Sequence, residues 1–503
     1  MLNKKNQNIT RTKIVNWKYY LLPVIIAASL YSVVITDNLF GDEYDEYAFS
    51  VLGKSRFGMS TTLDIHTQLA GLGYLLIGQP WSIRLYSMFC GIGAIIFVGK
   101  LAQKYLSCRG TMIAIWLAVF SPFLIEFGAE ARPNAIFIFA GVMFLYAFVL
   151  FMEEESLVNT LFVIFAGCFG ILAREMFVSI LIFCFGYYII KRRKVTFKLI
   201  IAGLAMLPFL IRLYLRMNHY SNFAPKESTE APVSLMNFLF RLPVALTFGY
   251  NTLRYPDRGV NFAVSVTDTI AANIITFICM SVVFVGFLIG FIILVKKDKR
   301  IIFLAAGVLV PVILLLVAQE AGFSILNVRH CAGILGVYLV LLAAIINQLY
   351  KYKLGKIVVI LYIYLIAISL FHFYFQPEIY SRRSNYTALN TELENNLKNE
   401  DYIIVYYKGT NTSPDYLTAM QNTDNIIDID HDLPSGMQIE EYINGINSIC
   451  RGRIFFIVNI AMKNWVDPNN SAMSVLQKDR QYTVRKYGRN LSLFIFNELN
   501  QID

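Results

Sequence analysis

The sequence predicts a polytopic α-helical membrane protein with a small α/β domain at its C-terminal end. Three observations carry that prediction. The 503-residue chain is 56% hydrophobic and only 16% charged, with a mean hydropathy of +0.54, whereas a globular domain carries about 25% charge. Apolar runs of about 20 residues, long enough to cross a bilayer as a helix, recur along it. From residue 376 onward the composition turns polar and charged. The net charge of +10 first suggests nucleic acid. The basic residues fall instead in short clusters between apolar runs, which speaks for helix orientation, so no nucleic-acid partner is expected.

The basic start (Lys4, Lys5, Arg11, Lys13, Lys18) precedes a run over about 17–36, read as an uncleaved first span with a cytoplasmic N-terminus. The loop 37–82 then faces outward. Inside it, 67–77 is apolar but too short to cross, and predicts a helix lying in the membrane interface. Further spans are expected over about 83–101 and 112–127, and then from Pro133 to Glu153-Glu154-Glu155. Pro133 suits a first helical turn, where its missing N–H costs nothing. Short spans over 157–172 and 177–190 follow, then 199–215, 270–295, 302–318, one opening at Arg329-His330, and 358–375. That makes about eleven transmembrane helices. It puts the clusters Lys100/Lys104/Arg109, Lys191-Arg192-Arg193-Lys194, Lys296–Arg300 and Lys351/Lys353/Lys356 inside, and the C-terminal region outside. The long outer loop 217–268 holds an amphipathic stretch over 235–248 that reads as interfacial.

Two domains are thus expected: a membrane domain, 1–375, and an extracytoplasmic α/β domain, 376–503. In the latter, 402–407, 426–429, 454–458 and 491–496 read as strands, and 387–397, 438–446 and 472–478 as helices. The seven cysteines contain no CxxC pair, which speaks against a zinc cluster or a disulfide scaffold.

The densest chemistry lies in Gly41-Asp42-Glu43-Tyr44-Asp45-Glu46-Tyr47, four carboxylates within five residues directly after the first span, followed by Asp64 and His66. The plain reading is a solvated turn. On a helix, however, Asp42 and Asp45 share one face and Glu43 and Glu46 another. Like charges stacked at a membrane edge raise carboxylate pKa values, which suits a general base acting on a hydroxyl.

Several pieces, in order, resemble a known family. Asp45-Glu46-Tyr47-Ala48-Phe49 resembles the Asp-Glu opening of the GT-C glycosyltransferases. The closest branch is that of family 39-like protein mannosyltransferases and bacterial lipid A or core-sugar transferases. Leu63-Asp64-Ile65-His66 with the apolar run after it resembles the family's D-x-H-P-P-L-Y-Y-L-L segment. Ile83-Arg84-Leu85-Tyr86-Ser87 resembles its L-R-L-P-S, Ser121-Pro122-Phe123 with Glu130-Ala131-Arg132 its S-P…E-A-R, and Val328-Arg329-His330 its late R-Y. The pieces cover roughly the first 150 residues, with one late echo. Thr67 and Gln68 replace the two prolines, and His330 the late tyrosine. Asp42-Glu43, preceded by Phe40-Gly41, is an alternative register for the acidic pair.

The resemblance implies a sugar donor on a polyprenyl phosphate and an acceptor outside the cell: lipid A, another envelope glycan or a protein. Asp45 or Asp42, with Glu46 and Glu43 beside it, would deprotonate the acceptor, which would attack the anomeric carbon with inversion. Charge grows on the departing phosphate, so cations belong beside it. Arg132 and Arg329 are the candidates, with Arg254 and Arg258 read as headgroup anchors. Glu130 would orient acceptor or sugar, unless it only pairs with Arg132. Asp64, His66 and His330 would line the substrate site, His66 binding sugar or metal unless it only makes a structural hydrogen bond. No cofactor is implied with certainty, and a divalent metal stays open. Two other functions compete: a transporter or flippase for a lipid-linked glycan, and a glycan polymerase or ligase working through basic residues. The transporter would need ionisable groups within the spans, which are nearly free of them.

Overall fold

The structure is a computed structural model. It describes residues 17–36, 39, 42–51, 64–223, 235–253, 266–321, 327–376, 386–406, 425–459, 467, 469–487 and 491–498. The helices in chain order are α1 Lys18–Ile35, α2 Asp42–Ser50, α3 Ile65–Ile77, α4 Leu85–Tyr105, α5 Cys108–Val119, α6 Pro122–Gly128, α7 Pro133–Glu153, α8 Leu157–Ala173, α9 Val178–Arg192, α10 Phe197–Phe223, α11 Leu235–Phe248, α12 Val266–Ala272, α13 Ile274–Lys297, α14 Ile301–Glu320, α15 Leu335–Leu349 and α16 Lys353–Phe375. The chain divides into two compact units. One comprises Met1–Thr36, Lys54–Thr252 and Asn273–Leu370; the other comprises Asp37–Gly53, Leu253–Ala272 and Phe371–Asp503.

The first unit is a helical bundle around α7 and α15. Both helices are apolar on nearly every side and correspondingly buried on nearly every side. α7 packs on α4 and α8, and α15 on α5 and α13. α10, α13 and α16 instead leave most of their residues only partly buried or exposed, as helices facing lipid do. The chain is a multi-pass membrane protein.

Among the described residues, eight helical segments are long and apolar enough to cross a membrane, or nine if α5 and α6 count as one bent span. Two of the eleven expected crossings, 157–172 and 177–190, form the 17-residue α8 and the 15-residue α9. At about 1.5 Å per residue these measure about 26 and 23 Å, short of an apolar layer about 30 Å thick. By length and composition, eight or nine of the described segments therefore qualify as spans, with α8 and α9 the two expected crossings below that length.

The run 112–127, read as one span, is also broken. α5 ends at Val119, and the axis turns by 50° into α6. The cause is local. Ser121 has left the helical conformation and caps α6, its hydroxyl accepting from the Leu124 N–H at 3.3 Å. Pro122 takes the first helical position, where it has no N–H to lose.

In the second unit, five strands form one sheet in the order β2-β1-β3-β5-β4: β1 Tyr402–Val405, β2 Ile426–Asp428, β3 Ile454–Asn459, β4 Tyr482–Lys486 and β5 Leu491–Phe496. β2, β1 and β3 run parallel, while β5 pairs antiparallel with both β3 and β4. Ile404, Ile443, Phe456, Leu476 and Phe496 belong to one buried core. The expected helices appear as Tyr386–Asn396, Ile439–Ile449 and Ser471–Asp479, and the four expected strands are present. β4 is the strand the sequence reading missed. Arg480 is buried here and satisfied by peptide oxygens: Nη1 donates to Gly452 at 2.7 Å and Asn497 at 2.9 Å, and Nη2 to Cys450 at 2.6 Å. Burial pushes the Tyr406 hydroxyl well above its ordinary range, and Asp467, which accepts its hydrogen bond at 3.2 Å, adds to the effect.

Candidate active site

The acidic segment folds as α2, so the helical reading of 42–46 holds for the backbone. Glu43 and Glu46, three residues apart, are both buried, at 0% and 3% exposure. For Asp42 and Asp45 the described part is the backbone. α2 belongs to the second unit; the other candidates that are described belong to the first. Arg254 and Arg258 lie outside the described residues.

In the first unit, the exit of α1 is fixed by an arginine to which the sequence reading gave no role. Arg84 is fully buried, and its Nη1 donates to the carbonyls of Ile35 at 3.0 Å and Val34 at 3.3 Å. Those carbonyls lie at the end of α1, where the Thr36 N–H also donates to Val34, and a cation there meets the negative end of the helix dipole.

Asp64 precedes α3 and is 3% exposed. Arg216 on α10 grips it with both guanidinium nitrogens: Nη2 reaches Oδ2 at 2.9 Å and Nη1 reaches Oδ1. Arg212, one turn earlier, lies 3.7 Å from Oδ1. A carboxylate held bidentately is fixed in direction as well as charge. His66, the second residue of α3, is also buried.

The turn from α6 to α7 carries Glu130 and Arg132. It is closed by the Arg132 N–H donating to the Glu130 carbonyl at 2.9 Å. Glu130 is buried and Arg132 half-buried. Every residue of α6 is buried, Glu126 included. The Glu126 carboxylate accepts from Asn251 Nδ2 at 3.2 Å, and the Tyr250 ring stacks on Phe123 with centroids 5.5 Å apart. Both partners lie on the short turn Tyr250–Thr252 after α11. Gly249 makes that approach: it sits at φ +86°, and a Cβ there would come within 2.5 Å of the Pro122 side chain. Glu126 was missed in the sequence because its partner lies 125 residues away.

Arg329 and His330 lie half-buried on the turn Val328–Ile334. Asn327 caps it, its side-chain oxygen accepting from the Arg329 N–H at 3.1 Å. This turn is pressed onto α7: a Cβ on Gly141 would stand 2.1 Å from the Gly333 carbonyl oxygen. It also touches the turn Glu175–Phe177. Arg174, just before that turn, donates to the buried Asn134 at the start of α7. α7 therefore serves as the common support for Glu130 and Arg132, for Asn134 with Arg174, and for the Arg329-His330 turn. Among the described residues, no three His, Cys, Asp or Glu side chains gather as metal ligands would.

Residues 67–214 match the family model described as dolichyl-phosphate-mannose-protein mannosyltransferase. This stretch runs from the first turn of α3 into α10 and includes Glu126, Glu130, Arg132 and Arg212. No curated protein sequence matches the chain. Among solved structures it is similar to apo ArnT from Cupriavidus metallidurans, at 10% identity over 95% of this chain and 98% of that one, with a TM-score of 0.53. ArnT bound to undecaprenyl phosphate gives the same identity and coverage, with a TM-score of 0.50. AglB from Archaeoglobus fulgidus, in complex with an inhibitory peptide and a dolichol-phosphate, lies further off. It has 12% identity over 97% of this chain and 75% of that one, with a TM-score of 0.45. Residues 67–214 are thus similar to a family of dolichyl-phosphate-mannose-protein mannosyltransferases, and the chain as a whole shares the fold of ArnT.

Proposed function

We propose that the chain moves a sugar from a polyprenyl-phosphate donor to an acceptor on the outer face of the cytoplasmic membrane, inverting the anomeric centre. The observation that carries this reading is the acidic segment after the first span, helical and with two of its carboxylates buried, in a chain of GT-C fold. The similarity to a structure bound to undecaprenyl phosphate supports the donor class.

In this mechanism Asp45, or Asp42 in the alternative register, takes the proton of the acceptor hydroxyl. The hydroxyl oxygen bonds to the anomeric carbon while the bond from that carbon to the phosphate oxygen breaks. The electron pair leaves on polyprenyl phosphate. Glu43 and Glu46, buried on the same short helix, keep the base from losing basicity by adding negative charge nearby. Glu130 orients the acceptor. Arg132 and Arg329 take up the charge growing on the phosphate, and His66 and His330 line the sugar site. Asp64, held by Arg216, sets the wall from which His66 projects.

The N-terminus lies in the cytoplasm, residues 1–375 form the transferase domain, and 376–503 form an extracytoplasmic domain. The sugar is a hexose or a pentose. The test is sugar transfer from a polyprenyl-phosphate sugar by Asp42→Asn, Asp45→Asn and the double variant. Removal of a general base lowers the rate by about 10²–10⁴. Wild-type rates in all three variants would remove the mechanism.

A further inference from the structure

We propose that the α15–α16 turn, with the first turn of α5 beside it, is a docking site for the headgroup of an anionic phospholipid. Four cations meet there. Arg109 stands at the start of α5, and Lys351, Lys353 and Lys356 lie on the turn after α15 and at the start of α16. Packing brings these pieces together. α5 packs on α15, where a Cβ on Gly110 would lie 3.6 Å from Asn347 Nδ2. The first turn of α16 closes on the end of α15 at Gly355, where a Cβ would stand 2.1 Å from the Leu349 carbonyl oxygen. Tyr350 draws two of the cations to one ring: the Arg109 guanidinium lies 4.2 Å from its centre and Lys356 Nζ 5.2 Å. Lys351 Nζ donates to Gln348 Oε1 at 3.1 Å, which ties a third cation to the same helix end.

The charge of this cluster is not balanced from within. Among the described residues, none of the four cations is joined to a carboxylate, and neither 65–125 nor 321–377 contains an aspartate or a glutamate. All four side chains are exposed, so a ligand reaches them from outside. What lies outside is the edge of the bilayer. The spans that contain α5, α15 and α16 all begin or end here. Leu354, Ile357 and Ile360 on one face of α16 are 78%, 59% and 67% exposed, as residues facing acyl chains are. Tyr350 and Tyr352 are exposed as well, and tyrosine favours the headgroup level. A phospholipid lays its acyl chain along α16 and sets its phosphate among the cations, which attract negative lipid charge. A zwitterionic lipid brings an ammonium group into a site that already holds four cations, so the site selects a lipid of net negative charge.

Binding is the readout, so the site stands or falls separately from sugar transfer. The purified full-length chain in detergent is titrated in turn with phosphatidylglycerol and with phosphatidylethanolamine, and bound lipid is counted by native mass spectrometry. Phosphatidylglycerol should bind more tightly. Arg109→Gln/Lys356→Gln should weaken it by about 25-fold, about fivefold for each charge removed. Lys191→Gln/Lys194→Gln is the control: it removes the same charge from exposed positions at the end of α9 and just after it, and should bind phosphatidylglycerol as the wild type does. All four positions are exposed, so neither pair of substitutions should disturb the fold, which thermal unfolding checks. The wild type supplies a readout of its own, since phosphatidylglycerol binding should weaken as salt is raised. Wild-type affinity in Arg109→Gln/Lys356→Gln, an equal loss in the control, or equal binding of the two lipids would each overturn the proposal. So would binding that does not respond to salt.

Discussion

Replacing Gly141 by alanine tests the claim that α7 is the shared support of the site. The added Cβ would stand 2.1 Å from the Gly333 carbonyl oxygen. Ordinary contact needs more than about 3 Å, so the turn Val328–Ile334 must move off α7 by roughly 1 Å. Overpacking of this kind costs about 1–3 kcal/mol. The same shift carries Arg329 and His330 with it, and a misplacement of about 1 Å can cost about 10²-fold in rate. Gly203 on α10 is the matched control, because a Cβ there meets nothing within 4 Å. Gly203→Ala should be neutral or should gain up to about 1 kcal/mol from helix propensity. Both variants are purified in detergent and compared by thermal unfolding and by initial rate of sugar transfer. Gly141→Ala should lose both stability and rate, and Gly203→Ala neither. If Gly141→Ala keeps the wild-type rate while losing stability, the Arg329-His330 turn plays no part in the chemistry. If it keeps both, the packing argument itself fails.

Arg84→Met should lower the unfolding temperature, because it removes the buried charged donor to the Ile35 carbonyl at the end of α1, a loss of about 1–3 kcal/mol. An unfolding curve that matches wild type would refute this capping role. The turn between α13 and α14 gives a pH signature. The Arg300 guanidinium, hydrogen-bonded to Asp298 at 2.7 Å, holds that carboxyl below its usual range. A lowered carboxylate contributes stability above its unfolded pKa of about 3.9 and loses it as pH falls through the folded value. Asp298→Asn should therefore be less stable than wild type at pH 7, by under about 1 kcal/mol for so exposed a pair, with the gap closing only below about pH 4. A gap that is constant with pH would contradict it.

What the sequence made legible follows from how each feature is encoded. The elements showed because hydropathy patterns are local: the amphipathic helix 235–248 and the strand 491–496 were placed to the residue, and most span ends within a few. The break at 120–121 was written in Ser121-Pro122, yet those residues sit in an apolar window that reads as continuous. β4 was missed for the opposite reason. Tyr482-Thr483-Val484-Arg485-Lys486 is exposed on both faces and shows no inside–outside alternation. It is a strand because its backbone pairs with β5 at the sheet edge. Within the site, Asp64, Glu130 and Arg329 stood out as ionisable residues beside apolar runs. Their partners did not. Arg216 lies 152 residues from Asp64, and Val34 lies 50 from Arg84. Contacts of that range come from helix packing, which no single stretch of sequence displays.

The measurement that bears most directly on the account is the mass of the cell-envelope glycans in a strain lacking this chain. They should be compared after complementation with the wild type and with the Asp42→Asn/Asp45→Asn double variant. The account predicts loss of one hexose or pentose from a single envelope component, restored by the wild type and not by the variant. Envelope glycans identical in all three strains, or full restoration by the variant, would contradict it.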